Sequence, residues 1–115
     1  METRCICKIR SVYRQIMKFE TDLEKEYGLN INEAMLLCLL TEKESLLAGD
    51  IADELDLTRS NTSKVIANME KKKYIRRHTC KNDSRCQRFS ITPAGREVLE
   101  KIHDLPLCAN DVLDS

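Results

Sequence analysis

Hydrophobic residues recur at every third or fourth position through the first quarter of the chain: Ile6, Ile9, Val12, Tyr13, Ile16, Met17, Phe19, Leu23 and Tyr27. That period lines them along one side of a helix, so residues 3–27 are expected to form one long amphipathic helix. Gly28 stops it. Asn30, three residues before Glu33, has the spacing of a capping box and opens a second helix reaching about Glu42. Met35, Leu36, Leu39 and Leu40 give that helix a broad apolar face. A polar connection over residues 41–45 leads to a brief third helix over residues 47–55, with Ile51, Ala52 and Leu55 inward. Thr58 suits an N-cap. The fourth helix then runs to about Lys72, with Thr62, Val65, Ile66 and Met69 as a narrow inward stripe.

After Lys73 the period shortens to two. Ile75, Arg77 and Thr79 alternate with Arg76, His78 and Cys80, residues 81–85 form a polar loop, and alternation resumes over residues 86–92. This pattern predicts a β-hairpin. A five-residue loop centred on Asp83 pairs Ile75 with Ile91, Arg77 with Phe89, His78 with Arg88 and Cys80 with Cys86. Ile75, Phe89 and Ile91 then share the inner face. Thr92 caps a last helix that has Pro93 at its first position and ends before Pro106. Two short helices joined by a tight turn and followed by a hairpin make a winged helix-turn-helix, a mainly α fold with a small β-hairpin. At 115 residues the expectation is a single domain. Its parts are an N-terminal helix to residue 27, a core over residues 29–102 and a short tail over residues 103–115.

Composition agrees with helices and an aliphatic core: 4% of residues are aromatic, Trp is absent, and there are three Gly and two Pro. The longest apolar stretch, residues 34–40, is far below the roughly 20 residues that span a bilayer, and the N-terminus lacks a signal-like run. A soluble, cytoplasmic protein is expected. The six cysteines should then be reduced, most of them small packing residues, with Cys38 in the core.

Charge changes the picture more. Residues 58–88 gather ten of the nineteen Lys and Arg but two of the nineteen Asp and Glu, although the whole chain is formally neutral. A basic patch inside an otherwise acidic molecule suits a polyanion, because phosphate neutralisation with counterion release dominates nucleic-acid affinity. Ser60, Ser63, Lys64 and Ala67 lie on the outward face of the fourth helix, flanked by Asn61 and Asn68, with Arg59 at its start. These side chains suit base edges and phosphates in a major groove. Lys81, Asn82 and Arg85 occupy the wing tip, where Arg can enter a narrow minor groove. Asp83 is expected to orient the Arg85 guanidinium.

Ile51-Ala52-Asp53-Glu54-Leu55, Asn61-Thr62-Ser63-Lys64-Val65-Ile66, Met69-Glu70, Tyr74-Ile75-Arg76-Arg77, Asp83-Ser84-Arg85 and Ile91-Thr92-Pro93-Ala94-Gly95 resemble, in that order, the MarR family. The resemblance covers roughly residues 29–102. It implies a dimeric repressor on pseudopalindromic double-stranded DNA, often released by a small-molecule effector or by thiol oxidation. Lys73 departs from the family, which commonly has Gly before the strand, so the helix must end without an easy left-handed residue or accept about 1 kcal/mol of strain. Only residues 107–115 stand where relatives carry a further dimerisation helix. A smaller homodimer interface is therefore expected from Ile6, Ile9, Val12, Leu105, Leu107, Val112 and Leu113, unless these residues cover the protein's own core. The effector pocket of relatives is not legible, and Tyr13, Tyr27 and Tyr74 read as packing residues.

Cys80 and Cys86, facing each other near the wing tip with His78 two residues away, are candidates for redox sensing. Cys5 or Cys7 on the first helix is another, because sensing thiols of relatives lie near that helix. Three candidate ligands on an exposed hairpin make no closed metal site, and no cofactor motif is present. Neither imidazole, His78 or His103, has a nucleophile or metal partner at a useful spacing, which argues against an enzyme. The alternative is a winged helix used as a protein-interaction module on an acidic partner, which fold alone does not exclude.

Overall fold

The computed structural model describes residues 2–109. Val112 and Leu113, named above for an interface, lie outside the described residues. The elements in chain order are α1 (Glu2–Tyr27), α2 (Ile31–Glu42), β1 (Leu46–Leu47), α3 (Ala48–Leu55), α4 (Arg59–Lys71), β2 (Ile75–Cys80), β3 (Asp83–Ile91), α5 (Pro93–Ile102) and α6 (Pro106–Ala109). The chain divides into two compact units, residues 31–100 and residues 1–30 with 101–115.

In the first-named unit, Leu36, Leu37, Leu40, Ile51 and Met69 are the most deeply buried side chains of the core, joined by Val65, Ile66, Ile75, Phe89, Ile91, Val98 and Leu99. Each large aliphatic side chain removed from water contributes about 1.5–3 kcal/mol, so this aliphatic set holds the unit without Trp. Thr62, Val65, Ile66 and Met69 form the buried stripe of α4, as its period predicts. Cys38 departs from expectation. It is exposed on α2, as are Cys5, Cys7 and Cys108. These cysteines therefore do not pack the core; α2 is apolar nearly all round, and Leu37 takes the buried position instead.

The turn between α3 and α4 is built from caps. Asp56 adopts a left-handed conformation (φ 54, ψ 48), and the Leu57 N–H reaches back to the Ala52 carbonyl at 2.9 Å. That pairing satisfies the orphan carbonyls of the α3 terminus. Thr58 then accepts from the Asn61 N–H at 3.1 Å through its hydroxyl, while its carbonyl receives the Thr62 hydroxyl at 2.8 Å. A single polar residue type thus starts α4 at a fixed angle.

The three strands form an antiparallel sheet in the order β1-β3-β2. Ile75 pairs with Ile91, Arg77 with Phe89 and His78 with Arg88, the register expected from alternation. β1 was not expected: Leu46 and Leu47 pair with Phe89 and Arg88 rather than starting the third helix. Two residues are too few to show a period of two. The tip also differs, because the ladder shifts after Thr79 and Cys80 pairs with Asp83, so β3 starts three residues earlier than expected.

One junction fixes the wing to α4. Lys73 takes a φ of 66, a left-handed position that glycine fills more easily, and the Tyr74 N–H bonds to the Met69 carbonyl at 3.0 Å. The Thr92 hydroxyl donates to the Lys73 carbonyl at 2.7 Å and accepts from the Gly95 N–H at 3.1 Å, while the Thr92 N–H donates to the Tyr74 carbonyl at 3.0 Å. A Cβ on Gly95 would collide with the Tyr74 carbonyl oxygen and crowd Ile91. No side chain fits there.

In the second unit, Phe19, Leu23, Leu29, Ile102 and Leu107 are buried, and the Tyr27 hydroxyl donates to the Lys101 carbonyl at 3.3 Å. The N-terminal half of α1 behaves differently. Ile6, Ile9, Tyr13 and Met17 are 64%, 57%, 61% and 48% exposed, so Tyr13 is not a packing residue here.

Two stability changes are expected. Lys73→Gly should raise the urea midpoint by an amount worth about 0.5–1 kcal/mol, since relief of the left-handed strain outweighs the added freedom of the unfolded chain. Gly95→Ala should lower stability by about 2–3 kcal/mol, because backbone must move to admit the methyl group. Equal midpoints for parent and Gly95→Ala would show that the junction yields freely.

Candidate nucleic-acid interface

α4 presents Arg59, Ser60, Asn61, Ser63, Lys64, Ala67 and Asn68 to solvent, while the intervening Thr62, Val65, Ile66 and Met69 face the core. The helix has no acidic residue in its first turn. Its N-terminal N–H groups and partial positive charge are therefore unopposed by a local carboxylate, which favours an anion at that end.

In the wing, Lys81, Asn82, Asp83 and Arg85 are all exposed. Asp83 acts on Arg85 mainly through the backbone: its Oδ1 accepts the Arg85 N–H at 2.9 Å, whereas the guanidinium Nε stands 3.8 Å away. The second distance exceeds hydrogen-bond range. Asp83 therefore shapes the chain at Arg85 and leaves the guanidinium, 94% exposed, able to reach outward.

Cys80 and Cys86 are joined in a disulfide with Cα atoms 5.2 Å apart. The expectation that these thiols are reduced is thereby corrected for this pair. The expected cross-strand pairing of Cys80 with Cys86 is not the observed register, because the ladder shifts and pairs Cys80 with Asp83; the two cysteines meet nonetheless. His78 is exposed, and no group of three or more His, Cys, Asp or Glu gathers to hold a metal ion among the described residues.

Two arginines of the basic stretch have internal partners that the sequence did not disclose. Arg77 makes a two-pronged pair with Glu70, its Nε 3.1 Å from Oε2 and its terminal nitrogen 2.8 Å from Oε1, and lies 5.2 Å over the Phe89 ring. This joins the end of α4 to the wing root. Both partners remain partly exposed, so the pair is worth about 1 kcal/mol or less. Arg88 donates to the Ser45 hydroxyl at 2.7 Å and to its carbonyl at 3.1 Å, anchoring the entry to β1. The only hint in the sequence is Glu70, an acid isolated among bases.

Ser63 and Ile66 of α4, Leu47 of β1, and Arg77, Arg85 and Phe89 of the wing line one groove of about 520 Å³. Ser63 and Arg85, far apart in sequence, thus share a concavity, while Lys81, Asn82 and Asp83 stand at the tip. Cys86 also borders that groove. Among the described residues no helix is long and apolar enough to cross a membrane.

Known proteins share this fold. The transcriptional regulator BldR from Sulfolobus solfataricus superposes with a TM-score of 0.78 at 25% identity, covering 99% of this chain and 83% of its own. The MepR–DNA complex of S. aureus matches with a TM-score of 0.69 at 23% identity over 84% of this chain and 82% of that one. In sequence, the HTH-type transcriptional regulator PapX of Escherichia coli is 27% identical over 93 residues, 79% of this chain but 57% of PapX. The family model described as MarR family matches residues 29–87, a span that holds α2, α3, α4 and most of the wing. The chain belongs to the MarR family.

Proposed function

We propose that the chain is a transcriptional regulator, a repressor by occlusion of its operator, which binds double-stranded DNA in the cytoplasm and catalyses no reaction. α4 enters the major groove, and the β2–β3 hairpin meets the adjacent minor groove. Arg59 and Lys64 contact phosphate or guanine, while Ser60, Asn61, Ser63 and Asn68 read base edges or hold the backbone. Lys81, Asn82 and Arg85 serve the wing, with Asp83 shaping its tip. The observation that carries this reading is the exposed polar face of α4 beside a groove that it shares with the basic wing. MepR, a protein of the same fold, is named as a DNA complex, which supports the DNA-binding reading.

The protein acts as a homodimer through the N-terminal half of α1. Ile6, Ile9, Tyr13 and Met17 recur at intervals of three and four and are 48–64% exposed. Such a stripe is self-complementary across a two-fold axis, and two-fold symmetry matches an operator with two half-sites.

Lys64→Ala and Arg85→Ala are each expected to weaken duplex binding and to lower the slope of log affinity against log salt by about 1, measured by fluorescence anisotropy at several salt concentrations. Unchanged affinity and slope in both variants would favour the interaction-module reading. Ile9→Glu should convert a dimer to monomer in sedimentation equilibrium at micromolar protein. If the parent itself sediments as a monomer, the two-fold reading fails.

A further inference from the structure

The strand ladder is interrupted where the proposed DNA contact lies. Thr79 pairs with Gln87, but the next residue of β2, Cys80, pairs with Asp83, so residues 84–86 have no partner in the ladder. Arg85 sits inside this unpaired segment. The Asp83 carboxylate accepts its backbone N–H at 2.9 Å, and the neighbouring Cys86 is bonded to Cys80. The disulfide is thus the covalent tie across the stretch that the sheet does not hold.

We propose that Cys80 and Cys86 are a redox-modification site that sets how tightly the wing grips a duplex, the disulfide form being the tighter. The proposal rests on the DNA-binding reading above. Both cysteines are only partly buried, so a small oxidant or reductant can approach the sulfurs. The remaining described cysteines, Cys5, Cys7, Cys38 and Cys108, are not joined in disulfides. With the bond intact, residues 84–86 are confined to a short covalent ring and Arg85 meets phosphate from a restricted ensemble. With it open, binding must order that segment and so loses conformational entropy at each residue fixed. Part of that cost is retained by the Asp83 bond.

The chemistry balances with a peroxide and a dithiol. One thiolate attacks a peroxide oxygen, giving a sulfenic acid and releasing hydroxide. The second thiolate attacks the sulfenic sulfur and expels the other oxygen as hydroxide. Two thiols and one hydrogen peroxide become one disulfide and two waters. In reverse, a dithiol attacks one sulfur to form a mixed disulfide, and its second thiol displaces the protein thiolate. The reductant leaves as a cyclic disulfide, and both cysteines regain protons.

The test uses the full chain and a mixed-sequence duplex of about 30 base pairs, long enough for two half-sites one helical turn apart. Peroxide-treated and dithiothreitol-reduced protein are compared by anisotropy across salt. Reduction should weaken binding about tenfold, equivalent to 1.4 kcal/mol, and the Cys80→Ser/Cys86→Ser double variant should match the reduced parent under both conditions. A variant with Cys5, Cys7, Cys38 and Cys108 changed to Ser should keep the full response. In parallel, alkylated protein is digested with trypsin, which cuts after Arg77, Lys81, Arg85 and Arg88. The oxidised form should yield the 78–81 and 86–88 peptides held together by a bond that reduction releases. Absence of the linked pair overturns the proposal, as does duplex binding that ignores the redox state while the linked pair is present. Failure of either form to bind any duplex would overturn the DNA reading and the switch together.

Discussion

The hydroxyl and amide of Thr92 tie together three segments that chain connectivity alone would leave independent. The hydroxyl bridges the Lys73 carbonyl and the Gly95 N–H, and the amide holds the Tyr74 carbonyl. The end of α4, the base of the wing and the start of α5 are therefore one hydrogen-bonded knot. Gly95 makes the approach of backbone to backbone possible, and Lys73 accepts a left-handed φ to complete the turn. Every proposed contact of α4 and the wing depends on this root, because an angular error there grows along the hairpin toward its tip.

Both acids of the basic stretch have an arginine to organise. Glu70 holds the side chain of Arg77 at the wing root, and Asp83 holds the backbone of Arg85 near the tip. The two roles differ in consequence. Arg77 is committed to Glu70 and Phe89 and so is weakly available to a duplex, whereas the Arg85 guanidinium remains outward. Arg88, bound to Ser45, is likewise structural. Counting charges along the sequence therefore overstates the cationic surface, and the geometry separates cations that build the wing from those that can serve it.

Much of the fold was legible in the sequence because burial left periodic marks. The α4 stripe and the paired positions from Ile75 to His78 could be read, since a slip of one residue would turn Ile75, Phe89 and Ile91 toward solvent. The polar tip carries no such penalty, and there the ladder shift after Thr79 was missed. β1 is too short for alternation to show. Cys38 was placed in the core because an apolar helix gives little sign of which position faces out. The exposed face of α4 followed from its inward stripe. By contrast, the Arg77–Glu70 pair depends on how the Lys73 turn aims β2, which no local pattern encodes. The Cys80–Cys86 bond was legible as proximity, but its oxidation state was not.

The strand order β1-β3-β2 leaves β2 at an open edge of the sheet, where unpaired backbone groups invite another strand to dock. Along that edge Arg76, Arg77, His78 and Thr79 are exposed. A neighbouring copy that tried to extend the sheet would bring its own Arg76 to this rim, a like-charge approach that guards it against self-stacking, whereas Arg77 is already paired with Glu70. The guard is only as strong as the charge: a polyanion that neutralises several wings at once would remove it, and crowded copies on one long duplex would then lose their mutual protection from strand addition.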